Sequence, residues 1–321
     1  MKVILIGAKG FGKTWHRTVK SHGLEVVAVV DIELEHSRDA VRELGQGEPL
    51  TLQQWISRPT KFKADLIIDS APPFERFNRL RAALTSGIQV LAAKPLLTNM
   101  SEFEALLHLE EETQRRVFVA MQKRFHPAFQ KLFNDIRDRR SDFHFVKLIL
   151  EVDGEFWTPG FEWRKKMKHP SLWEGAIHQL DLLKWLLDLR VRHIWAKSFS
   201  APWSNFESPP DFLSFFECEN DIQVVYLSRW NNKSRQPIHY FSGLTLESAR
   251  DSFEIKDGRL FQNGVYCPTT SDEERMMDLS VLNEQLFKAL FITEDIDARM
   301  TLSSKYHYQV MEWATLIERA F

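Results

Sequence analysis

Residues 1–122 alternate short, almost wholly apolar runs with longer amphipathic stretches, and this alternation constrains the fold more than any other feature of the chain. Apolar runs without a polar face are typical of strands buried on both sides, as in a parallel sheet covered by helices. We therefore predict a doubly wound α/β domain over residues 1–122. Its expected strands are Lys2–Ile6, Val26–Val30, Asp65–Asp69, Gln89–Ala92 and Val117–Ala120, and its expected helices are Lys13–Ser21, Glu75–Ser86 and Glu102–Thr113.

The pattern changes after about Asp142, where the strand candidates alternate apolar and polar residues. Alternation suits an antiparallel sheet with one covered face. We therefore expect residues 123–321 to form one α+β domain with a large, mainly antiparallel open sheet. Its strand candidates are Phe143–Val152, Phe212–Cys218, Ile222–Trp230, Tyr240–Glu247, Phe253–Ile255 and Leu260–Phe261, and its helix candidates are Ser171–Leu187, Glu273–Phe291 and Met300–Arg319.

Composition excludes several classes of protein. The 42 Lys and Arg nearly balance the 44 Asp and Glu, which leaves no electrostatic footprint for nucleic acid or an anionic membrane. No apolar run approaches the ~18 residues that a membrane-spanning helix needs. The apolar start at Met1–Ile6 meets Gly7 at once and is too short for a secretory signal. Two cysteines cannot build a disulfide framework or a cysteine-based zinc site, so we expect a soluble, cytoplasmic protein.

The first strand runs into a glycine-rich turn, Gly7-Ala8-Lys9-Gly10-Phe11-Gly12, and Asp31 ends the second strand 19 residues after Gly12. In a dinucleotide-binding turn the first glycine allows the tight bend, the last allows close packing of helix on strand, and the pyrophosphate lies at the helix N-terminus. Asp31 is expected to bind the adenosine ribose hydroxyls, which favours NAD over NADP. Lys9 occupies the middle glycine position, where its side chain can crowd the cofactor, and Gly10 offers a shift of one residue. A merely structural turn is the alternative.

Two later features carry side chains suited to proton transfer. Lys94 follows the fourth strand, at the sheet edge where open α/β sheets bind ligands, although an isolated lysine is more often an ordinary surface residue. Glu174, His178 and Asp181 share one face of a predicted helix, where a neighbouring carboxylate can fix the imidazole tautomer. A surface salt bridge is the alternative for this helix. No further ligand lies nearby, so we expect no metal.

Together these features resemble the Gfo/Idh/MocA family of NAD(P)-dependent oxidoreductases over nearly the whole chain. The family's glycine-rich turn corresponds to Gly7–Gly12, and its Thr-Pro segment corresponds to Ala71-Pro72-Pro73. Its Glu-Lys-Pro motif corresponds to Ala93-Lys94-Pro95. Its Gln/Asn-x-Arg-Phe segment corresponds to Gln122–Phe125, and its Asp-x-x-x-His helix corresponds to Glu174–His178. The chain departs from the family at Ala93, where the motif has glutamate, and at Glu174, where the helix has aspartate. Lys168-His169-Pro170 stands where the family often has glycines, which implies a bulkier substrate loop.

The resemblance implies a Rossmann domain that binds NAD, with NADP as the alternative, and hydride transfer to or from a hydroxyl or carbonyl of a sugar-like or polyol substrate. It implies that Lys94 hydrogen-bonds the reacting oxygen, that His178 exchanges its proton and that Glu174 orients the imidazole. The expected cofactor contacts are Gly7, Lys9, Gly10, Phe11, Gly12, Asp31, Ala71, Pro72 and Lys94. The expected substrate contacts are Arg124, Trp163, Arg164 and Asp181, and Trp157 and Trp173 are candidates for stacking on a sugar.

Two other functions stay open at this point. The departures at Lys9 and Ala93 motivate a catalytically silent relative that binds a dinucleotide or sugar as a regulator or scaffold. A reductase of an imine or another non-sugar carbonyl is the second. The family's habit also implies a homodimer or homotetramer through the C-terminal sheet, on which we expect Trp195, Phe199, Phe215 and Trp230 to form an apolar surface.

Overall fold

The computed structural model describes residues 1–154, 162–233, 243–269 and 278–321. The chain divides into two compact units. The first contains Met1–Gln122 and Asp278–Gln309, and the second contains Lys123–Met277 and Val310–Phe321. The first division falls after residue 122, and residues 278–309 join the first unit and not the second.

The first unit contains a six-stranded sheet in which every neighbouring pair is parallel. The strand order β3-β2-β1-β4-β5-β6 is that of a doubly wound dinucleotide-binding fold, which confirms the predicted class. The strands are β1 (Lys2–Ile6), β2 (Glu25–Asp31), β3 (Glu48–Thr51), β4 (Leu66–Asp69), β5 (Gln89–Ala93) and β6 (Val117–Ala120). The helices are α1 (His16–Ser21), α2 (Leu34–Leu44), α3 (Leu52–Ile56), α4 (Arg76–Thr85) and α5 (Met100–Thr113), with 3₁₀ turns at Gly10–Trp15 and Pro59–Lys61.

Three elements of this unit were not predicted, namely β3, α2 and α3. The short strand β3 contains Glu48 and Pro49 and lies at the sheet edge, where a proline is tolerated and no apolar run is needed. Helix α2 buries only the small residues Ser37 and Ala40 and therefore shows a weak apolar face. The helix predicted from Lys13 begins instead as the 3₁₀ turn and becomes α-helical at His16.

The segment 278–309 packs on the first unit through contacts that are remote in sequence. It carries α9 (Leu279–Phe291), α10 (Ile296–Thr301) and the start of α11 (Ser304–Arg319). Asn283 donates a 2.7 Å hydrogen bond to the Thr14 hydroxyl, and Glu284 accepts a 2.8 Å bond from Arg17. The Val119 N–H of β6 donates to the Leu302 carbonyl at 2.8 Å. Because the backbone at this point pairs with β6, the single helix predicted over Met300–Arg319 is interrupted there.

The second unit contains an eight-stranded sheet in the order β14-β13-β12-β11-β7-β10-β9-β8. Its β7–β10 pair is parallel and its other pairs are antiparallel, which confirms the mainly antiparallel sheet. The strands are β7 (Phe143–Glu151), β8 (Val191–Phe199), β9 (Asp211–Cys218), β10 (Gln223–Arg229), β11 (Leu244–Ser248), β12 (Ser252–Lys256), β13 (Arg259–Gln262) and β14 (Val265–Cys267). The helices are α6 (Pro127–Ile136), α7 (Trp163–Lys166), a π-helical segment (Ser171–Ala176) and α8 (Ile177–Leu187), with 3₁₀ turns at Gln122–Phe125, Arg137–Asp142 and Glu219–Asp221.

Two predicted elements extend beyond the described residues. Residues 240–242 of the strand expected at Tyr240–Glu247 lie outside them, as do residues 273–277 of the helix expected at Glu273–Phe291. The Asp257-Gly258 turn joins β12 to β13.

The large sheet has one covered face and one open face. Phe212, Phe216 and Tyr226 are buried on the inner face. On the outer face Trp195 and Leu213 are 53% and 46% exposed. The expectation that Trp230 belongs to the open face is wrong: it follows β10, is 6% exposed and packs 6.0 Å from the Phe206 ring.

Candidate functional site

The glycine-rich turn of the first unit requires glycine at its first and last positions. Gly7 has φ +86°, and a Cβ there would lie 2.7 Å from the Ala71 amide nitrogen. A Cβ on Gly12 would lie 1.7 Å from the Gly7 carbonyl oxygen, so only a hydrogen atom fits. These are the tight bend and the close packing that a dinucleotide-binding turn needs. Gly10, with φ +54°, and Phe11 lie in the 3₁₀ turn between them.

Asp31, the last residue of β2, is linked to Lys9 through His36 of α2. The Ala8 N–H donates to Asp31 Oδ2 at 2.7 Å, which brings the carboxylate to the glycine-rich turn. His36 Nδ1 lies 3.3 Å from Asp31 Oδ1, and Lys9 Nζ lies 2.9 Å from His36 Nε2. The tautomer protonated at Nδ1 satisfies both contacts, because Nε2 then accepts from the ammonium. The Lys9 side chain therefore extends toward α2. No sequence signal identified His36, because a single histidine on a polar helix has no distinctive context.

Ala71, Pro72 and Lys94 lie in the two loops that follow β4 and β5. These strands are neighbours, with Asp69 paired to Ala92, so their carboxyl ends meet at one sheet edge. Lys94 is partly exposed, and its peptide bond to Pro95 is cis. Two arginines of α4 donate to carbonyls of these loops, and the sequence did not indicate either of them.

In the second unit, His178 lies on the first turn of α8 and is buried. Glu174 lies in the π-helical segment before it, where each turn contains more residues than in an α-helix. The angular offset between positions 174 and 178 therefore differs from that of the regular helix we predicted. The Glu174 carboxylate accepts a 2.7 Å hydrogen bond from Arg164 Nη2. The same guanidinium lies 5.2 Å from the centre of the Trp163 ring, so three of the predicted site residues form one cluster.

Arg124 and Asp181, both expected to bind substrate, bind each other. Arg124 Nε and Nη2 donate to the two carboxylate oxygens at 2.7 and 2.5 Å, and both side chains are buried. Burial raises the pKa of the Asp181 carboxyl, while the Arg124 guanidinium opposes that shift. Such a bidentate pair is geometrically specific, so it fixes α8 to the 3₁₀ turn at Gln122–Phe125.

The loop at Lys168-His169-Pro170 precedes the π-helical segment and contacts the end of α11. His169 has φ +45°, and its ring centre lies 4.6 Å from that of Phe321. Burial lowers the pKa of the His169 imidazole. The Trp173 indole donates to Glu318 at 3.3 Å and is buried, so its ring faces the protein and not a sugar. Trp157 lies outside the described residues.

The described residues contain neither a cluster of metal ligands nor a helix suited to a membrane. In 1–154, 162–233, 243–269 and 278–321, no three His, Cys, Asp or Glu residues are grouped as metal ligands. Over the same ranges, no helix combines the length and the apolar character needed to cross a bilayer.

Comparison with known proteins identifies relatives of this chain. Residues 1–121 match the GFO_IDH_MocA family model, described as an oxidoreductase family with an NAD-binding Rossmann fold. The uncharacterized protein y4oX of Sinorhizobium fredii is 26% identical over 70% of this chain and 64% of its own length. Inositol 2-dehydrogenase of Acidothermus cellulolyticus is 22% identical over 61% of this chain and 56% of its own length. The chain thus matches about half to two thirds of the length of these curated relatives.

Solved structures match the whole chain in fold. An oxidoreductase from Agrobacterium radiobacter, in complex with NAD⁺, L-tartaric acid and magnesium, has a TM-score of 0.85 at 11% identity and covers 100% of this chain and 96% of that one. Scyllo-inositol dehydrogenase from Lactobacillus casei, with bound NAD(H) and scyllo-inositol, has a TM-score of 0.78 at 13% identity, with coverage of 100% and 96%. The predicted resemblance is confirmed: residues 1–121 match the model of the Gfo/Idh/MocA oxidoreductase family, and the whole chain has the two-domain fold of these solved structures.

Proposed function

We propose that the protein is a NAD-dependent oxidoreductase that moves a hydride between nicotinamide and a carbon bearing the hydroxyl or carbonyl group of a sugar-like or polyol substrate. The observation that carries the proposal is the turn at Gly7–Gly12, in which the two outer positions admit no side chain and the Asp31 carboxylate is bound at the turn. Related inositol 2-dehydrogenases support the choice of polyols as the substrate class.

The residues present fit the cofactor. Gly7 and Gly12 leave the backbone of the turn uncovered for a pyrophosphate, with Lys9, Gly10 and Phe11 between them. Asp31 is the acceptor for the ribose hydroxyls, and the same carboxylate repels a 2′-phosphate, which favours NAD over NADP. Ala71 and Pro72 contribute the neighbouring loop. The bound dinucleotide supplies the hydride chemistry, and the protein supplies position and proton handling.

Three residues carry the proton chemistry in this proposal. The Lys94 amine donates a hydrogen bond to the substrate oxygen, which polarises a carbonyl or stabilises a developing alkoxide. The His178 imidazole takes the proton of a hydroxyl, or returns it in the reverse direction. Glu174, whose carboxylate accepts a 2.7 Å hydrogen bond from Arg164, orients the imidazole in this proposal.

Substrate binding falls to the cluster around Arg164. The Trp163 ring and the Arg164 guanidinium are partly exposed and offer a stacking face and hydrogen-bond donors. Arg124 and Asp181 contribute through their buried pair, which fixes the helix that carries His178.

A substrate panel tests the proposed reaction. Purified protein is mixed with NAD⁺ and a series of inositols, sugars and sugar acids, while the nicotinamide absorbance is followed. Turnover of at least one polyol or sugar supports the proposal. Turnover restricted to imines or other non-sugar carbonyls, assayed with NADH, supports the reductase alternative. Binding of NADH without turnover of any compound supports a silent regulator, the alternative that Ala93 favours because a glutamate is missing from the lysine motif.

We also propose a homodimer or homotetramer built through the open face of the large sheet. Trp195 pairs in register with Phe215, their ring centres lie 5.6 Å apart at an interplanar angle of 39°, and Leu213 lies on the same face. Exposed apolar side chains grouped in this way are typical of protein interfaces.

Both cysteines are free thiols, which suits the reducing cytoplasm that we propose as the compartment.

A further inference from the structure

Three buried charged residues lie at the carboxyl edge of the first sheet. Asp69 ends β4, and Arg76 and Arg79 lie one turn apart on α4, with each of the three at most 3% exposed. Arg79 Nε lies 2.8 Å from Asp69 Oδ2, and Arg76 Nε lies 3.7 Å from the same oxygen. One carboxylate thus faces two guanidinium groups. Buried charges of this kind persist only when pairing and hydrogen bonds offset the loss of water.

The remaining N–H groups of the two arginines donate to backbone carbonyls. Arg79 donates to the Pro72 and Phe74 carbonyls at 2.8 and 2.7 Å, and therefore holds the loop after β4. Arg76 also contacts that loop, through the Ala71 carbonyl. Arg76 Nη1 in addition donates to the Ala93 carbonyl at 2.6 Å and to the Pro95 carbonyl. Arg76 thus holds both loops, and Arg79 holds one.

The two carbonyls that distinguish Arg76 from Arg79 belong to the residues on either side of Lys94. One guanidinium therefore fixes the backbone before and after the lysine. Position 93, which carries a glutamate in the resembling family motif, is alanine here, so its side chain offers no carboxylate to orient the amine. The hydrogen bonds from Arg76 act instead on the main chain of residues 93 and 95.

We propose that Arg76 is the positioning residue for Lys94 and fixes the direction of its amine through the Ala93 and Pro95 carbonyls. This inference rests on the proposed function, in which Lys94 hydrogen-bonds the reacting oxygen. A displacement of about 1 Å from a productive geometry can cost roughly 10²-fold in rate. An Arg76→Lys variant keeps the charge beside Asp69, but a single ammonium cannot reproduce the planar fork that reaches both carbonyls.

Arg79→Lys is the matched control, because it makes the same chemical change on the same helix and beside the same Asp69 but leaves the carbonyls around Lys94 bonded. The first measurement uses the dinucleotide-free protein. The rate at which an amine-specific acylating reagent modifies Lys94 is followed by mass spectrometry across a pH series. We expect the Lys94 profile to shift in R76K and to match wild type in R79K.

The second measurement separates catalysis from binding. For R76K we expect kcat to fall by roughly 10–10²-fold. The dissociation constant for NADH should change about equally in R76K and R79K, because both arginines hold the loop after β4 that contributes to the cofactor site. Should R76K fold poorly, Arg76→Gln serves as the second variant, with added guanidinium at concentrations that leave wild type folded. Recovery of the wild-type Lys94 profile by guanidinium supports the proposal.

Equal changes of the Lys94 profile in R76K and R79K, or an unchanged profile in R76K, would overturn the proposal and leave Arg76 with a structural role. The proposal is also overturned if activity falls only in proportion to the loss of folded protein and added guanidinium does not restore the Lys94 acylation profile. A wild-type protein that binds no dinucleotide defeats the proposed function instead, and the acylation profile still decides whether Arg76 positions Lys94.

Discussion

His178 is a buried imidazole on the first turn of α8, and the segment that precedes this helix is π-helical. Its proposed task is to move one proton at the substrate oxygen. Positioned general acid–base groups of this kind contribute roughly 10²–10⁴-fold to rate. Proton transfer at His178 is therefore separate from cofactor binding at the turn that begins with Gly7.

Replacing His178 tests this separation. In His178→Ala we expect kcat to fall by roughly 10²–10⁴-fold, while the affinity for NADH measured by fluorescence titration changes little. Melting temperatures of both proteins serve as the folding control. A variant that turns over as fast as wild type contradicts the assignment.

Glu110 provides a test of buried charge. It is 4% exposed on α5, where it accepts a 2.8 Å hydrogen bond from the Val117 N–H and another from the Ser304 hydroxyl. Burial raises the pKa of this carboxyl above its ordinary value. Because the folded-state pKa lies above the unfolded one, its contribution to stability is fully present below the unfolded pKa and is lost as pH rises through the folded pKa.

In Glu110→Gln the neutral amide keeps an acceptor for Val117 and offers a donor to Ser304. We expect this variant to unfold at a higher temperature than wild type at neutral pH, and the difference to disappear below about pH 4, the ordinary range of a glutamate. Thermal unfolding across a pH series measures both. A difference that grows toward low pH has the wrong sign for this account.

The sequence located some site residues and missed others for a physical reason. Asp31 and Lys94 follow apolar strands, so their place at the sheet edge could be predicted. Arg76, Arg79 and His36 lie on helices, where a polar residue is typical of a solvated surface. The burial of Arg76 and Arg79 depends on which loops fold over them, and the contacts of His36 depend on the glycine-rich turn; neither is local in sequence.

At the scale of elements, the helix before His178 shows how packing overrides a sequence pattern. The apolar spacing predicted one α-helix over Ser171–Leu187, and the structure places a π-helical segment at its start. Gly175 in that segment lies against the Trp230 indole and the Leu150 side chain, where a Cβ would come within 2.9 and 3.0 Å. The close approach of two elements, rather than helix propensity, sets the local geometry.

Gly175→Ala is therefore expected to destabilise the protein by about 1–3 kcal/mol, the usual range for overpacking a core. Chemical denaturation measures the change. In a Trp230→Phe background, which lacks the indole nitrogen, Gly175→Ala should lower the free energy of unfolding by less than it does in wild type. An equal cost in both backgrounds contradicts the contact as its cause.

At the scale of the whole molecule, the two sheet classes could be predicted because unbroken and alternating apolar runs distinguish parallel from antiparallel strands. The edge strand β3 could not be predicted from the sequence, because it is short and contains a proline. The placement of 278–309 in the first unit also escaped prediction. It depends on contacts such as Asn283 with Thr14, whose partners are 269 residues apart.

The open face of the large sheet gives a prediction about assembly. A Trp195→Glu, Leu213→Glu double variant places charges on side chains that are half exposed in the single chain. We expect light scattering to show a dimer or tetramer for wild type and a monomer for the variant, since charges are depleted from interface cores. A wild-type monomer, or a variant with unchanged mass, contradicts the proposed interface.

The central claim is that the first unit binds NAD through its glycine-rich turn and Asp31. A calorimetric titration of NADH and NADPH into wild type and Asp31→Asn tests it most directly. The account predicts that wild type binds NADH more tightly than NADPH, and that the variant narrows this preference by roughly tenfold, as the loss of one charge-assisted hydrogen bond implies. A wild-type protein that binds neither dinucleotide contradicts the account.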